Sequence, residues 1–407
     1  MTVTPDLQRE LLADIEGLCR FQRPSASEGE REAAYWVSSR LRDAGLEPEI
    51  EEFFFYPDYW SVWAAHMGLA LFASAVGRRG RRLGRLGAIL GAATVLSFWG
   101  DASARFHWLR SLFPARPSYN VLARLRSPDA RRVIVVSAHH DAPHSGLPFH
   151  PAIQRWLASA ARGRQPFPAV QLPFLGLLGA MAGSAARALG MGPRLAGAIG
   201  APGRLICALT ALVMGHIGRS PVSPGANDDA SGVAVVLALA RDLAERPPGA
   251  AEVWFLTTGC EEGIMGGMKA FMERHRQELA GRRPFFINLE VLGAGQVLYL
   301  TSEGLVTRFP YHPEATVLAQ RVTGEPEFET IRPVSAPYST DAQVATHHGF
   351  PAITVASLGP EGYLPHYHWP TDVPENIDLG SVERAYAFAR RLLEVAADQW
   401  PARRDDR

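Results

Sequence analysis

The chain has 407 residues, with Lys+Arg at 41 against Asp+Glu at 41. A net charge near zero gives no overall field toward nucleic acid, and 47% hydrophobic with 20% charged residues excludes a disordered or collagen-like chain. Cys19, Cys207 and Cys260 are too few and too scattered for a disulfide framework or a Cys/His finger.

Apolar positions at three- and four-residue intervals between Asp6 and Leu46 predict two amphipathic helices, broken near Arg23-Pro24. This polar N-terminus has no basic n-region, apolar h-region or cleavage site, so no cleavable signal peptide is expected. "EPEIEEFFFY" reads as a strand. An uncharged stretch from Tyr59 to Gly77 follows, then five arginines (Arg78, Arg79, Arg81, Arg82, Arg85), then Leu86 to Gly100, uncharged again. This is a hydrophobic helical hairpin with a basic tip. Strands return at "YNVLARL" and "RRVIVVSAHHD", the second apolar enough for the centre of a sheet. From Pro151 to Ser220 a second hairpin is expected, with uncharged runs Gln165 to Ala186 and Leu205 to Gly218 around Arg187, Arg194 and Arg204.

Beyond Pro221 a βα rhythm resumes. Helices are predicted from Ser231 to Leu243, near Met265 to Leu279, Pro313 to Arg321 and Leu379 to Ala397, with strands at "AEVWFLTTG", "PFFINLEVLG", "QVLYLTS" and "PAITVAS". The alternation predicts a three-layer α/β/α fold with a mixed, mostly parallel central sheet. Residues 1–60, 101–150 and 221–407 are expected to form a single catalytic domain, interrupted by hairpins at 61–100 and 151–220.

Acidic and histidine clusters follow the predicted strands, where open α/β sheets bind ligands. They are "SAHHDAPHSG" with His139 and Asp141, "PGANDDASGVA" with Asp228, "TTGCEEGIMGG" with Glu261 and Glu262, "INLEVLG" with Glu290, and "HYHWPTD" with His368. Alone, Asp228 reads as a cap for the helix starting near Ala230. Adjacent carboxylates at Glu261 and Glu262 instead repel one another unless a cation offsets them. Two histidines with three or four carboxylates suit zinc. Two ions sharing one bridging carboxylate account for five ligands and leave one Glu of the pair as a base.

In order and context these motifs resemble the di-zinc exopeptidases that include aminopeptidase Y, aminopeptidase S and glutamate carboxypeptidase. "AHHD" is similar to their His-x-Asp, "GANDDASGVA" to their bridging-Asp turn, "CEEGIMGG" to their Glu-Glu and "YHWPTD" to their closing Tyr-His. The resemblance implies two Zn2+ ions, one held by His139, Glu290 and bridging Asp228, the other by Asp228, Glu262 and His368. It implies that Asp141 orients His139. Glu261 would be the general base that deprotonates the bridging water, and Tyr367 would donate to the oxyanion. Asp341, in "YSTDAQVATHHGFPAITV", would support the site or cap a helix. Glu290 stands where the family usually has Asp, which resembles the membrane-associated branch of endoplasmic-reticulum and vacuolar-membrane metallopeptidases. His140, His144, His150, His347, His348 and His366 read as loop or pocket residues, and Cys260 as a small buried residue.

The resemblance thus implies a zinc-dependent exopeptidase, of aminopeptidase more than carboxypeptidase type, acting on peptides. The alternatives are a non-catalytic membrane receptor or scaffold of the same fold, and a glutaminyl cyclase-like acyltransferase with one zinc. The hairpins predict membrane contact, against the rival of a buried cap or a homodimer surface. Their uncharged runs of 19, 15, 22 and 14 residues compare with about 20 needed to cross about 30 Å. Arginine tips on the far side of a cytoplasmic catalytic domain would oppose the positive-inside tendency. Either the hairpins are re-entrant or surface-lying with Arg at headgroups, or the domain faces outward with its N-terminus translocated without a cleaved signal. The hairpins are expected beside the active-site mouth, as a lid or membrane foot selecting apolar or membrane-derived peptides.

Overall fold

The computed structural model describes residues 5–127, 130, 132–160, 171–247 and 251–399. Helices α1 (Pro5–Cys19) and α2 (Glu28–Asp43) are separated at Pro24, and the Ser27 hydroxyl caps α2 by accepting from the Glu30 N–H. They lead to β1 (Glu49–Phe55), and after the first insert to β2 (Arg116–Leu125) and β3 (Val133–His139). The second insert is followed by α8 (Ser231–Glu245), β4 (Glu252–Thr258), α9 (Gly266–Ala280) and β5 (Phe285–Glu290). Then come β6 (Gln296–Glu303), β7 (Phe309–Pro310), α10 (Pro313–Thr323), β8 (Arg332–Ser335), α11 (Asp341–His347), β9 (Ala352–Leu358) and α12 (Leu379–Gln399).

The strands form one mixed sheet in the order β1-β2-β4-β3-β5-β9-β6-β7, with β8 on β6. Its four central strands, β4, β3, β5 and β9, are mutually parallel, while β1, β2 and β7 pair antiparallel at the edges. The central strands are buried on both faces, which is why they read as unbroken apolar runs. Helices α1, α8 and α12 pack together on one face, and α9 and α11 on the other. The three layers expected from the alternation are present.

The inserts hold α3 (Tyr59–Gly77) and α4 (Arg81–Ala102), then α5 (Pro151–Ala160), α6 (Gln171–Ala188) and α7 (Pro193–Ile217). Helices α3, α4, α6 and α7 pack as a four-helix bundle around their own apolar centre, which includes Val62, Met67, Phe98, Leu177 and Cys207. Small residues let the backbones approach: a Cβ on Gly203 would stand 2.2 Å from the Ala180 nitrogen. The second insert is more than a hairpin, since α5 precedes the pair; the start of the run at Gln165 lies outside the described residues. Helices α4 and α7 also outrun their uncharged stretches. At 19, 22 and 25 residues, α3, α4 and α7 are long and apolar enough to cross a membrane, spanning roughly 28 to 38 Å. Many of their outward residues are exposed and apolar, among them Phe72, Ile89, Leu195 and Leu212.

At the bundle foot, buried Arg110 forms a two-pronged pair with Asp101 of α4, at 2.6 and 2.8 Å. Its third nitrogen donates to the carbonyls of Tyr56, past the end of β1, and Gly263. One guanidinium therefore ties the hairpin to the loop that follows Glu261 and Glu262.

Candidate metal centre

Each central strand delivers one part of the centre from its C-terminal end. His139 closes β3, Glu261 and Glu262 follow β4, Glu290 closes β5, and His368 lies in the loop after β9. Asp228 comes from the turn Ala226–Ala230 that leads into α8. The backbone is constrained throughout these loops. Cys260, Ile264, Met265, Val291 and His368 all adopt positive φ, between 49 and 77°, a region that side chains other than glycine's rarely occupy and that gathers at functional sites.

Asp228 stands at the middle. Its Oδ1 lies 3.1 Å from His139 Nε2, and its Oδ2 lies 3.1 Å from His368 Nε2. Glu290 Oε1 is 3.4 Å from the first nitrogen and Glu262 Oε1 is 3.4 Å from the second. Two triads, His139-Asp228-Glu290 and Asp228-Glu262-His368, thus bring ligand atoms within one ion's reach while sharing a carboxylate, and Glu261 closes a third group with His139 and Glu262. Bonds of about 2.0–2.2 Å in a tetrahedron put ligand atoms roughly 3.3–3.6 Å apart, close to the separations found. Asp228 Oδ2 and His368 Nε2 are buried and make no hydrogen bond. The donor set and its spacing therefore fit a divalent cation at each triad.

Supporting residues fix these side chains. Asp141 Oδ1 faces His139 Nδ1 at 3.3 Å and accepts from the Glu261 N–H at 3.1 Å, while Oδ2 accepts from the Glu262 N–H at 3.1 Å and from Ser25 at 2.6 Å. Asp372 accepts the N–H groups of Asn227 and Asp228. Asp341 accepts from Thr258 at the end of β4, while Thr340 caps α11. Asp228 does not cap α8; its neighbour Asp229 accepts from Gly232 at 3.1 Å. Asp229 also takes the N–H groups of His139 and Val291, and Ser231 and Asn227 take those of Leu292 and Gly293. The three backbone donors after Glu290 are thereby locked to the Asp228 turn. Sequence reasoning missed Asp229, Ser231 and Ser25, although the first two stand inside a quoted motif.

Burial and the neighbouring carboxylates Glu290 and Glu262 push the Glu261 carboxyl well above its ordinary range, despite His139. Burial likewise lifts Glu262 to about 7. Burial would keep His139 neutral, but Glu290, Asp141 and Asp228 outweigh it and raise its pKa. Without a cation, protons must carry the charge balance of this cluster. Tyr367 stacks on His368 with ring centroids 4.0 Å apart, beside the triads. Other histidines are engaged elsewhere: His144 with the Ser220 carbonyl, His150 against Trp369, His347 against Phe309, and His366 with Thr371. His140 is buried, and neither it nor His348 enters a ligand group; Cys260 is buried too.

A cavity of about 460 Å³ opens from Glu261, Glu262, Tyr367 and His368 toward the bundle, and one of about 70 Å³ lies beside Glu290 and Tyr367. Neither is lined by a Lys or Arg among the described residues.

Residues 205–393 match the family model described as Peptidase family M28. The chain is 32% identical over 180 residues to endoplasmic reticulum metallopeptidase 1 of Rattus norvegicus, covering 42% of this chain and 19% of that protein. It is 27% identical over 153 residues to aminopeptidase YwaD of Bacillus subtilis (strain 168), covering 30% of this chain and 33% of that one. The chain therefore spans a fifth to a third of these relatives' length. The fold is similar to that of BSAP, a zinc aminopeptidase from Bacillus subtilis, with a TM-score of 0.57 at 14% identity over 97% of this chain and 96% of the other.

Proposed function

We propose that the chain, whose residues 205–393 match the model of peptidase family M28, is a zinc-dependent exopeptidase of aminopeptidase type, one catalytic domain interrupted by two apolar helical inserts. The observation that carries this reading is Asp228, whose two oxygens each stand 3.1 Å from a different histidine, with a further carboxylate beside each. His139, Asp228 and Glu290 would hold one zinc, and Asp228, Glu262 and His368 the other. Bound there, zinc supplies Lewis acidity, lowering the pKa of a water and polarising the scissile carbonyl.

Glu261 is the general base: its carboxylate takes a proton from the attacking water and returns it to the amine nitrogen that leaves. The Tyr367 hydroxyl donates to the carbonyl oxygen as negative charge develops there. Asp141 keeps His139 Nε2 turned toward the site by facing Nδ1. Carboxylates, with no Lys or Arg among the described lining residues, favour a substrate's free amine over its carboxylate. Zinc loading should give two ions per chain and release amine from amino-acid anilides. Glu261→Gln should keep the zinc and lose about 10²–10⁴-fold in kcat. A single zinc, or full activity in that variant, would overturn the reading.

The inserts are read as a membrane-spanning bundle. Neither Tyr59–Gly100 nor Pro151–Ser220 contains an Asp or Glu. Arg81 donates to the Ala188 carbonyl, so both arginine-bearing tips lie at one end of the bundle, while Trp60 and Gly218 meet at the other. The positive-inside tendency directs those tips to the cytoplasm and the catalytic domain to the opposite face. A single cysteine at Arg79 should resist an impermeant thiol reagent in intact cells while one at Glu314 reacts; the reverse pattern would refute this topology.

A further inference from the structure

The larger cavity follows one stripe of α7. Ile206, Leu209, Val213 and Ile217 line it at helical spacing, and from the first to the last the helix rises roughly 16 Å. Trp63 of α3 and Leu172 of α6 form other walls. Leu172 and Leu209 are 44% and 53% exposed, so the space reaches the flank of the bundle. At about 460 Å³ it falls in the range that takes whole small molecules, roughly 300–1,000 Å³. It is an elongated apolar channel that begins at two carboxylates and runs along α3 and α7, both long and apolar enough for a bilayer.

We infer that this channel binds a long alkyl chain, and that the substrate is an amphiphile: an amino-acid amide or short peptide with that chain beside the scissile bond. The cleavage rests on the hydrolase reading above; the binding does not. In the reaction the amide C–N bond breaks, a C–O bond forms from water, and the water's proton passes through Glu261 to the leaving nitrogen. The chain lies along α7 meanwhile, drawn from the hydrocarbon phase without crossing water.

The test uses the full zinc-loaded chain in detergent with nitroanilides of straight-chain amino acids of increasing length. Relative to alanine, kcat/KM should rise about tenfold or more as methylenes are added. Val213→Trp should cancel that rise, and Val213→Ala should move the preferred length upward. Binding is read separately in Glu261→Gln, by quenching of Trp63 fluorescence with a brominated long-chain amide, with Trp63→Phe as the control. Length-independent kcat/KM without Trp63-dependent quenching would overturn the inference and leave the hydrolase reading standing. Trp63-dependent quenching without hydrolysis of any anilide would support the channel and overturn the hydrolase reading.

Discussion

Replacing Asp141 by Asn keeps the shape of the side chain and removes one acceptor. Both carboxylate oxygens receive a backbone N–H at 3.1 Å, from Glu261 on one side and Glu262 on the other. Whichever way the amide turns, its NH2 therefore meets a buried donor head-on. An unsatisfied buried donor costs about 1–3 kcal/mol. The loop bearing the Glu pair can escape that cost only by shifting, and the same oxygen set also faces His139 Nδ1 at 3.3 Å. Losing the partner that orients a ligating histidine weakens metal binding about 10–100-fold, or about 1.4–2.7 kcal/mol at 1.36 kcal/mol per decade, which agrees with the donor penalty. Zinc Kd measured by competition with a fluorescent chelator should rise by that factor, and activity should return at saturating zinc. Ser25→Ala removes only the 2.6 Å hydroxyl bond and should cost less. Unchanged zinc affinity in the Asn variant would refute the assignment of Asp141 as the residue that orients the centre.

Gly203→Val should cost about 1–3 kcal/mol or more from overpacking, because its Cβ would meet the Ala180 nitrogen at 2.2 Å; thermal melting in detergent reads this, and an unchanged midpoint would contradict the close α6-α7 contact. Burial pushes the Glu303 carboxyl up from 4.5 to about 8, against its bonds to Tyr311 and Thr340. The folded chain then binds more protons than the unfolded chain between those values, so this group's contribution to stability is lost as pH rises through that window. Glu303→Gln should flatten the fall in melting midpoint from about pH 5 to about pH 8, and an identical slope would remove Glu303 as its source.

The candidate ligands were legible because strands announce their ends. His139 and Glu290 each close an apolar run, and Glu261-Glu262 sit where one breaks into glycines. The support was harder to read. Asp228 and Asp229 are chemically alike, and which one faces the histidines depends on backbone angles, φ −116° and −133°, that no pattern encodes. Ser25 and Glu30 reach the region from 116 and 88 residues away, through Asp141 and Ser118. Strand β8, "RPVS", has four residues with a proline, and α11 has seven, too few for a period to emerge. Helix α4 runs through Arg81, Arg82 and Arg85, so charge alone underestimated its length.

Arg110 has a practical bearing on protein production. Cutting out helices α3 and α4 whole to obtain a soluble α/β domain would delete Asp101, near the end of α4, and leave the Arg110 guanidinium with only the carbonyls of Tyr56 and Gly263. Removing one partner of such a pair costs about 3–5 kcal/mol, and the strain would fall on the loop beside Glu262. A trimmed α/β domain needs Arg110 exchanged for an apolar residue in the same step.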